Sequence, residues 1–302
     1  MTIIIIEREN YMSEKLKILY SRFKEKDLKS LKNDNIKSYL NKQDSNGNTM
    51  LYFSVDDENL EFTKNLVDIG SNPFIRNKFG MSAITLAAEL DSSEILSYFI
   101  KTFSDRIDEN NRSEMLANAS VYGLTNNVKI MLDAGFNCNL KYRNDPITVW
   151  AMQSHSLELL KLLIDRGASI NDCNEERQSL LYVASGEGIG EIVNWLLKMK
   201  ADIEKASNNG CTPLIIASCF DHINIVEKLL DYGANINNVT DEGSSALLHA
   251  IDHGNKEIVE ILVNRGANIY QLDKEGNGVV QYLSKIKNQK IRDEIKKIIN
   301  WN

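Results

Sequence analysis

The 302-residue sequence is poor in proline and cysteine, with three and four residues respectively. Its cysteines, Cys138, Cys173, Cys211 and Cys219, form no Cys-x-x-Cys pair. Four such residues in a chain of this length do not make a disulfide scaffold. We therefore expect reduced thiols and a cytoplasmic location, in the source cell or in a host cell that receives the protein.

Long apolar runs and nucleotide-binding motifs are also missing. The run Ile3–Ile6 is too short for a signal sequence or a membrane span. The glycines of Gly186–Gly190 follow no predicted strand, so they predict a loop rather than a phosphate site. His249 and His253 have a spacing that could place two metal ligands on one helix face, but no third ligand is evident. We predict no membrane contact, cofactor, metal or catalytic site.

Positive charge is scarce in the middle of the chain. Residues 44–272 hold 18 Lys and Arg against 32 Asp and Glu, whereas residues 1–43 and 273–302 carry net charges of +4 and +3. Nucleic acid binding needs clustered basic residues, so this distribution argues against it. An acidic surface favours a basic protein partner through electrostatic steering, although the charge could also serve solubility alone.

What the sequence does contain is a repeated phrase. Asp-Tyr-Gly-Ala-Asn-Ile-Asn at 231–237 returns as Asn-Arg-Gly-Ala-Asn-Ile-Tyr at 264–270, and Asp-Arg-Gly-Ala-Ser-Ile-Asn stands at 165–171. The glycines of the first two copies, Gly233 and Gly266, are 33 residues apart. A fixed period of this length is typical of a stacked array of helical units.

The unit at residues 207–239 shows the local pattern best. Asn208-Asn209-Gly210 predicts a turn, and Thr212 followed by Pro213 predicts a helix N-cap and first helical residue. A short first helix follows, and Ile223–Leu230 has the spacing of a second one. Gly233 then predicts a left-handed C-terminal cap.

A turn, two helices and a loop in 33 residues, with Thr-Pro-Leu and Gly-Ala-Asn-Ile-Asn, resemble the ankyrin repeat family. The resemblance implies an all-α solenoid of stacked helix-turn-helix units joined by β-turn or hairpin loops, with about seven units after an N-terminal helical cap. We assign an N-terminal extension at 1–12, the cap at 13–43 and a C-terminal capping repeat at 273–302. The seven repeats are assigned to 44–76, 77–108, 109–140, 141–173, 174–206, 207–239 and 240–272.

The sequence departs from the family pattern in two ways. The histidine that usually follows Thr-Pro-Leu is absent from every unit, so we expect lower stability than in an idealised array. The turn glycines are missing between about residues 100 and 150. We expect a hinge there, or a pocket.

The resemblance also implies a concave partner-binding face, made of the turn tips and the exposed side and end of each first helix. On this face we expect exposed apolar anchors surrounded by acidic residues. An alternative is that some of these aromatic residues pack on a neighbouring repeat. The predicted partner-binding residues are Phe79, Leu90, Tyr122, Tyr142, Arg143, Glu175, Glu176, Glu187, Phe220, Asp241, Glu242, Asp252 and His253.

Three functions remain open at this stage. The first is a monomeric, non-enzymatic protein-interaction module that acts as an adaptor or inhibitor. A secreted effector or an immunity-type inhibitor of a toxin would fit it. The second is an array that binds a small molecule, or catalyses a reaction, in a pocket of the concave groove. The third is self-association through the Ile3–Ile6 run as an edge strand.

Overall fold

The computed structural model describes residues 20–21, 39–91 and 93–300, and the described part of the chain is almost entirely helical. It divides into two compact units, Met1–Tyr142 and Arg143–Asn302. The first unit contains helices α1 (Met50–Asp56), α2 (Leu60–Asp68), α3 (Ala83–Glu89), α4 (Ser93–Phe103), α5 (Glu109–Val121) and α6 (Thr125–Asp133), a 3-10 turn (Ser104–Arg106) and strand β1 (Lys141–Tyr142).

The second unit begins with strand β2 (Asp145–Pro146) and continues with ten helices in its described part. These are α7 (Ile147–Met152), α8 (Leu157–Asp165), α9 (Leu180–Gly186), α10 (Gly190–Lys198), α11 (Pro213–Cys219), α12 (Ile223–Asp231), α13 (Ala246–His253), α14 (Lys256–Asn264), α15 (Val279–Lys285) and α16 (Gln289–Ile298). Each repeat supplies one helix pair, so the all-α fold of stacked helix pairs is confirmed.

Hydroxyl caps start the first helices at the 33-residue period. Thr49 and Ser82 cap α1 and α3, and Ser179, Thr212 and Ser245 cap α9, α11 and α13. In each case the hydroxyl accepts a hydrogen bond from the backbone N–H three residues later, which satisfies a donor that the helix leaves free. The caps fix where each first helix begins, and with it which side chains point into the stack.

The first helices stack on one another within each unit. In the first unit α3 packs against α1 and α5, and in the second α11 packs against α9 and α13. Small, fully buried residues such as Ala88, Ala184 and Ala217 stand at these contacts and let the helices approach closely. The second helices add the large apolar side chains, for example Phe62 and Phe99 in the first unit. Each unit therefore has a continuous core built from successive helix pairs.

The hairpin tips of consecutive repeats are joined by backbone hydrogen bonds. The N–H groups of Asn208, Asp241 and Lys274 donate to the carbonyl groups of Glu176, Asn209 and Glu242, with N···O distances of 2.9, 2.9 and 2.8 Å. In the first unit Lys78 donates to Asn46 in the same way, at 2.8 Å. These bonds form a ladder that sets the spacing and direction of the tips.

The repeat at 109–140 has no such tip. We predicted a turn at Asn110, Asn111 and Ser113, and that prediction is wrong, because all three lie in the 13-residue helix α5. Asp108 caps this helix by accepting from the N–H of Asn111, and no glycine is present to open a turn. The helix therefore starts about one turn earlier than in the other repeats.

Arg76 connects the preceding hairpin to this unusual helix. Its guanidinium donates to both carboxylate oxygens of Glu114, at 2.7 and 3.1 Å, and to the side chain of Asn111 at 3.1 Å. It also donates to the carbonyl group of Gly80. Glu114 is buried, and the pKa of Arg76 is raised by its hydrogen bond to Glu114. A side-chain bridge thus takes the place of the missing backbone rung.

The extension and most of the predicted N-terminal cap, including the Ile3–Ile6 run, lie outside the described residues. Tyr20 is one described residue of that cap. It is buried, donates to Asp57 at 2.7 Å and packs edge-on against Phe62. At the other end, the second helix that we predicted in the C-terminal capping repeat is present as α16.

Candidate protein-binding surfaces

In the first unit, two predicted anchors are exposed and one is not. Phe79, at a hairpin tip, is 67% exposed, and Tyr122, at the end of α5, is 59% exposed. Leu90 is buried, so its assignment as a surface anchor is wrong. Tyr142, in β1, is half-buried.

The backbone at the end of the first helix explains the burial of Leu90. The residues that follow α5 and α11, Tyr122 and Phe220, stay close to helical angles (ψ 0° and 17°) and keep their side chains on the surface. Leu90 follows α3 with ψ 149°, an extended conformation. The amide of Asn127 donates to its carbonyl oxygen at 2.6 Å, and the side chain lies in the core.

The second unit exposes every other predicted site residue. Phe220, at the end of α11, is 59% exposed. Arg143, also exposed, has a left-handed backbone (φ 49°). The exposed polar residues at hairpin tips and first-helix ends are Glu175, Glu176, Glu187, Asp241, Glu242, Asp252 and His253.

Third positions of the predicted tips do not share this exposure. Ser113, Cys211 and Ser244 are buried, and Met81, Asp145 and Gln178 are half-buried. These residues lead into the first helix, so their side chains turn toward the stack rather than toward solvent.

Charge is sorted by element in the second unit. We use the name tip-and-first-helix face for its hairpin tips, its first helices and the residues that end those helices. Residues 143–272 contain ten Lys and Arg, and only Arg143 and Arg177 belong to this face. The other eight lie on second helices or on the loops that follow them. Seven carboxylates belong to the face: Asp145, Glu175, Glu176, Glu187, Asp241, Glu242 and Asp252.

A small cleft opens on this face between α7 and α9. It has a volume of about 170 Å³ and is lined by Val149, Met152, Gln153, Asn174, Gln178, Leu180, Val183 and Glu187. Its floor is apolar, while Glu187 lies at its rim. Glu187 also pairs with the exposed His155, with 2.9 Å between Nε2 and Oε2.

The three glycines of Gly186–Gly190 have packing roles. Gly188 has a φ of +78°, and an added Cβ there would lie 2.5 Å from the His222 ring. That ring contacts the carbonyl oxygen of Gly186 at 2.9 Å through Nε2. A Cβ on Gly186 would lie 3.1 Å from Ile216 and 3.9 Å from Phe220. The run is a loop that receives the neighbouring repeat, in line with the prediction from sequence.

A cysteine–histidine contact escaped the sequence analysis. Cys219 Sγ lies 3.1 Å from His249 Nδ1, although the two residues are 30 positions apart. Burial raises the pKa of the Cys219 thiol, and the carboxylates of Asp221 and Asp252 raise it further. Burial lowers the pKa of His249. Both shifts favour a neutral thiol beside a neutral imidazole, so the thiol is not activated as a nucleophile.

The thiol of Cys211 is similarly unreactive in character. It is 5% exposed, and burial raises its pKa to about 11. Burial is also the main cause of the raised pKa of Tyr182, and Cys211 contributes to it. The described residues contain no group of three or more His, Cys, Asp or Glu side chains placed to hold a metal ion.

A second cleft lies where the repeat pattern is weakest. It has a volume of about 250 Å³ and is lined by Ile107, Glu109, Arg112, Gly135, Asn137 and Leu140. Arg112 is held there by hydrogen bonds to the carbonyl groups of Ile107 and Ser104, at 2.9 and 3.1 Å, and its guanidinium lies 5.0 Å from the centre of the Phe136 ring. Its charged group therefore supports the local fold.

Membrane insertion finds no support in the helices. In the segments that the structure describes, none combines the length and the apolar character needed to cross a bilayer.

Comparison with known proteins agrees with this architecture. The model of the ankyrin repeats family (three copies) matches residues 51–142, 115–207, 147–240 and 181–273. The chain therefore belongs to the ankyrin repeat family, whose members generally act through protein–protein interaction and without catalysis.

Two relatives show how far the similarity extends. The chain is 33% identical to the mouse (Mus musculus) B-cell lymphoma 3 protein homolog over 160 residues, which is 50% of this chain and 36% of the mouse protein. It is 25% identical over 163 residues to a putative ankyrin repeat protein of Borreliella burgdorferi, covering 54% of this chain and 70% of that protein. The chain thus spans about a third of the mouse relative's length.

Proposed function

We propose that this protein is a binding module that acts as an adaptor or inhibitor by occupying the surface of a partner protein. The observation that carries the proposal is the sorting of charge and apolar groups in the second unit. Carboxylates and the exposed ring of Phe220 share the tip-and-first-helix face, while the Lys and Arg side chains gather on the second helices. Solubility alone would not require the two signs to occupy different elements.

The partner that fits this face is a protein with a basic surface. Opposite charge speeds association and disfavours wrong partners, and an exposed aromatic ring supplies the apolar area that interface anchors provide. The same face disfavours nucleic acid, whose phosphates the carboxylates would repel. We propose a monomer that works in the cytoplasm of its source cell, or of a host cell if it is a secreted effector or an immunity-type inhibitor.

Affinity capture from the source cell or its host tests this function. Wild type is compared with Phe79→Ala, Tyr122→Ala and Phe220→Ala, which each remove one exposed ring. Tyr232→Ala is the matched control, because Tyr232 is 46% exposed but ends a second helix. We expect a captured protein that is lost with at least one of the three variants and kept by the control. Capture that is lost only with Tyr232→Ala would place binding on the second helices and refute the proposed face.

The alternative is a small-molecule site or an active site in a groove. The cleft beside Arg112 is the observation in its favour, since it lies in the region where we expected a pocket. Thermal shift against a metabolite library, with Arg112→Leu as the variant, tests it. Stabilisation of wild type alone would support this reading over a protein partner.

A further inference from the structure

The exposed ring of Phe220 stands between carboxylates on both neighbouring repeats. It ends α11, which packs between α9 and α13. On the α9 side the ring approaches Gly186, directly before Glu187. On the α13 side Asp252 acts electrostatically on Cys219, the residue before Phe220. Both carboxylate residues are exposed.

This arrangement suits one chemical group above others. A guanidinium can stack on an aromatic face, where cation–π attraction holds it, while its N–H groups reach carboxylates at the ring's edge. The nearby cations do not fill that role: in the described residues, the Lys and Arg side chains of α10, α12 and α14 belong to second helices. The ring and its two carboxylates are therefore available to a cation from outside the chain.

Glu187 links this position to the cleft between α7 and α9, because it belongs to both. The cleft volume of about 170 Å³ is close to the roughly 150 Å³ of cavities that hold a benzene-sized group. Its floor of Val149, Met152, Leu180 and Val183 is apolar, so it would take one aliphatic side chain.

We propose that the second unit binds an extended segment of a partner protein that places an arginine on Phe220, between Glu187 and Asp252, and a large aliphatic side chain in the cleft between α7 and α9. The spacing follows from the helix stack. Packed helices lie about 8–10 Å apart, so the cleft is about 12–15 Å from the Phe220 helix. An extended chain advances about 3.3 Å per residue. The two anchor residues are then about four positions apart in the segment. This inference rests on the proposed function and names the partner's chemistry.

Fluorescence anisotropy with synthetic peptides tests the inference. The probes are fluorescein-labelled Gly/Ser/Thr peptides that carry one arginine and one leucine, separated by about two, four or six positions. A second series carries glutamate in place of the arginine. We expect the tightest binding at a separation of about four, binding that weakens as salt rises, and none with the glutamate series.

Variants of the protein assign the effect to this site. Phe220→Ala and the pair Glu187→Gln with Asp252→Asn should each weaken binding roughly tenfold, within the range of a cation–π contact or a charge pair. Met152→Trp should fill the cleft and abolish the preference for leucine. Tyr232→Ala and Glu227→Gln, which change an exposed ring and an exposed carboxylate on the second-helix side, should leave binding unchanged.

The outcomes separate this inference from the proposed function. Binding that ignores peptide spacing, or that survives both site variants, overturns the inference. So does a captured partner whose binding is lost with Phe220→Ala but is unaffected by Glu187→Gln with Asp252→Asn, although that result leaves a protein-binding module standing. Loss of both peptide binding and partner capture would refute the two together.

Discussion

Removal of the Arg76 side chain should destabilise the first unit by about 2 kcal/mol. The Arg76→Ala change leaves Glu114 without its bidentate partner, and the side chain of Glu114 is only 11% exposed. Breaking a buried pair costs about 3–5 kcal/mol, whereas exposed pairs contribute about 0–1 kcal/mol. Because the Arg76 side chain is 42% exposed, water recovers part of the loss, and the cost falls between these limits.

Arg265→Ala is the matched control for this prediction. Arg265 pairs with Asp231 at 2.7 Å, the same distance as the shorter Arg76–Glu114 contact, but the Asp231 side chain is 58% exposed. We expect its loss to cost less than about 0.5 kcal/mol. The double variant Arg76→Ala with Glu114→Gln should regain part of the stability, because a neutral amide replaces the unpaired charge.

Hydrogen exchange measured by mass spectrometry is the assay, with urea unfolding followed by circular dichroism. The tryptophans Trp150 and Trp195 lie in the second unit, so their fluorescence does not report on this change. Exchange should accelerate in peptides that cover 77–121 and stay unchanged in those that cover 223–272. Equal losses for Arg76→Ala and Arg265→Ala would show that burial of the carboxylate is not the source of the stabilisation.

Three further changes have defined expectations. Gly188→Ala should lower thermal stability by about 1–3 kcal/mol, since it forces a left-handed alanine against the His222 ring, whereas Gly190→Ala, at an open position that starts α10, should be neutral or stabilising; equal effects would refute the packing role. Burial lowers the folded-state pKa of His249, so its contribution to stability is present above pH 6.5 and falls as the pH drops below it; His249→Asn should flatten this part of the urea-midpoint profile, and identical profiles would contradict the assignment. Iodoacetamide at pH 8 should alkylate Cys211 far more slowly in folded than in urea-unfolded protein, because its pKa is about 11, and equal rates would count against it.

The sequence was most informative where each local signal agreed with the stack. Thr212, Pro213 and Gly233 predicted the helix pair α11 and α12 nearly to the residue, because N-cap, first-turn and C-cap preferences are set by backbone groups close in sequence. The predicted turn at 110–113 was wrong because Asp108 can cap a helix that begins earlier. A turn glycine would have prevented that start.

The candidate site was harder to predict, because exposure depends on tertiary contacts. Leu90 and Phe220 hold equivalent positions in the repeat, but the backbone of Leu90 is extended and a bond from Asn127 holds it there. Nothing near Leu90 in the sequence announces that bond. Similarly, the contact between Cys219 and His249 joins two repeats, and only the stacking register brings them together. The acidic character of the face, by contrast, followed from the composition of the hairpin tips.

The ladder of tip hydrogen bonds bears on how the array can change in length. In residues 174–272, each rung joins a donor and an acceptor one period apart, so a duplicated or deleted 33-residue unit would find the same partners on both sides. The unit at 109–140 does not have this freedom, because its connection is specific to Arg76, Asn111 and Glu114. The second unit is therefore where natural variants or designed forms can gain or lose whole repeats, while the first unit must be inherited intact.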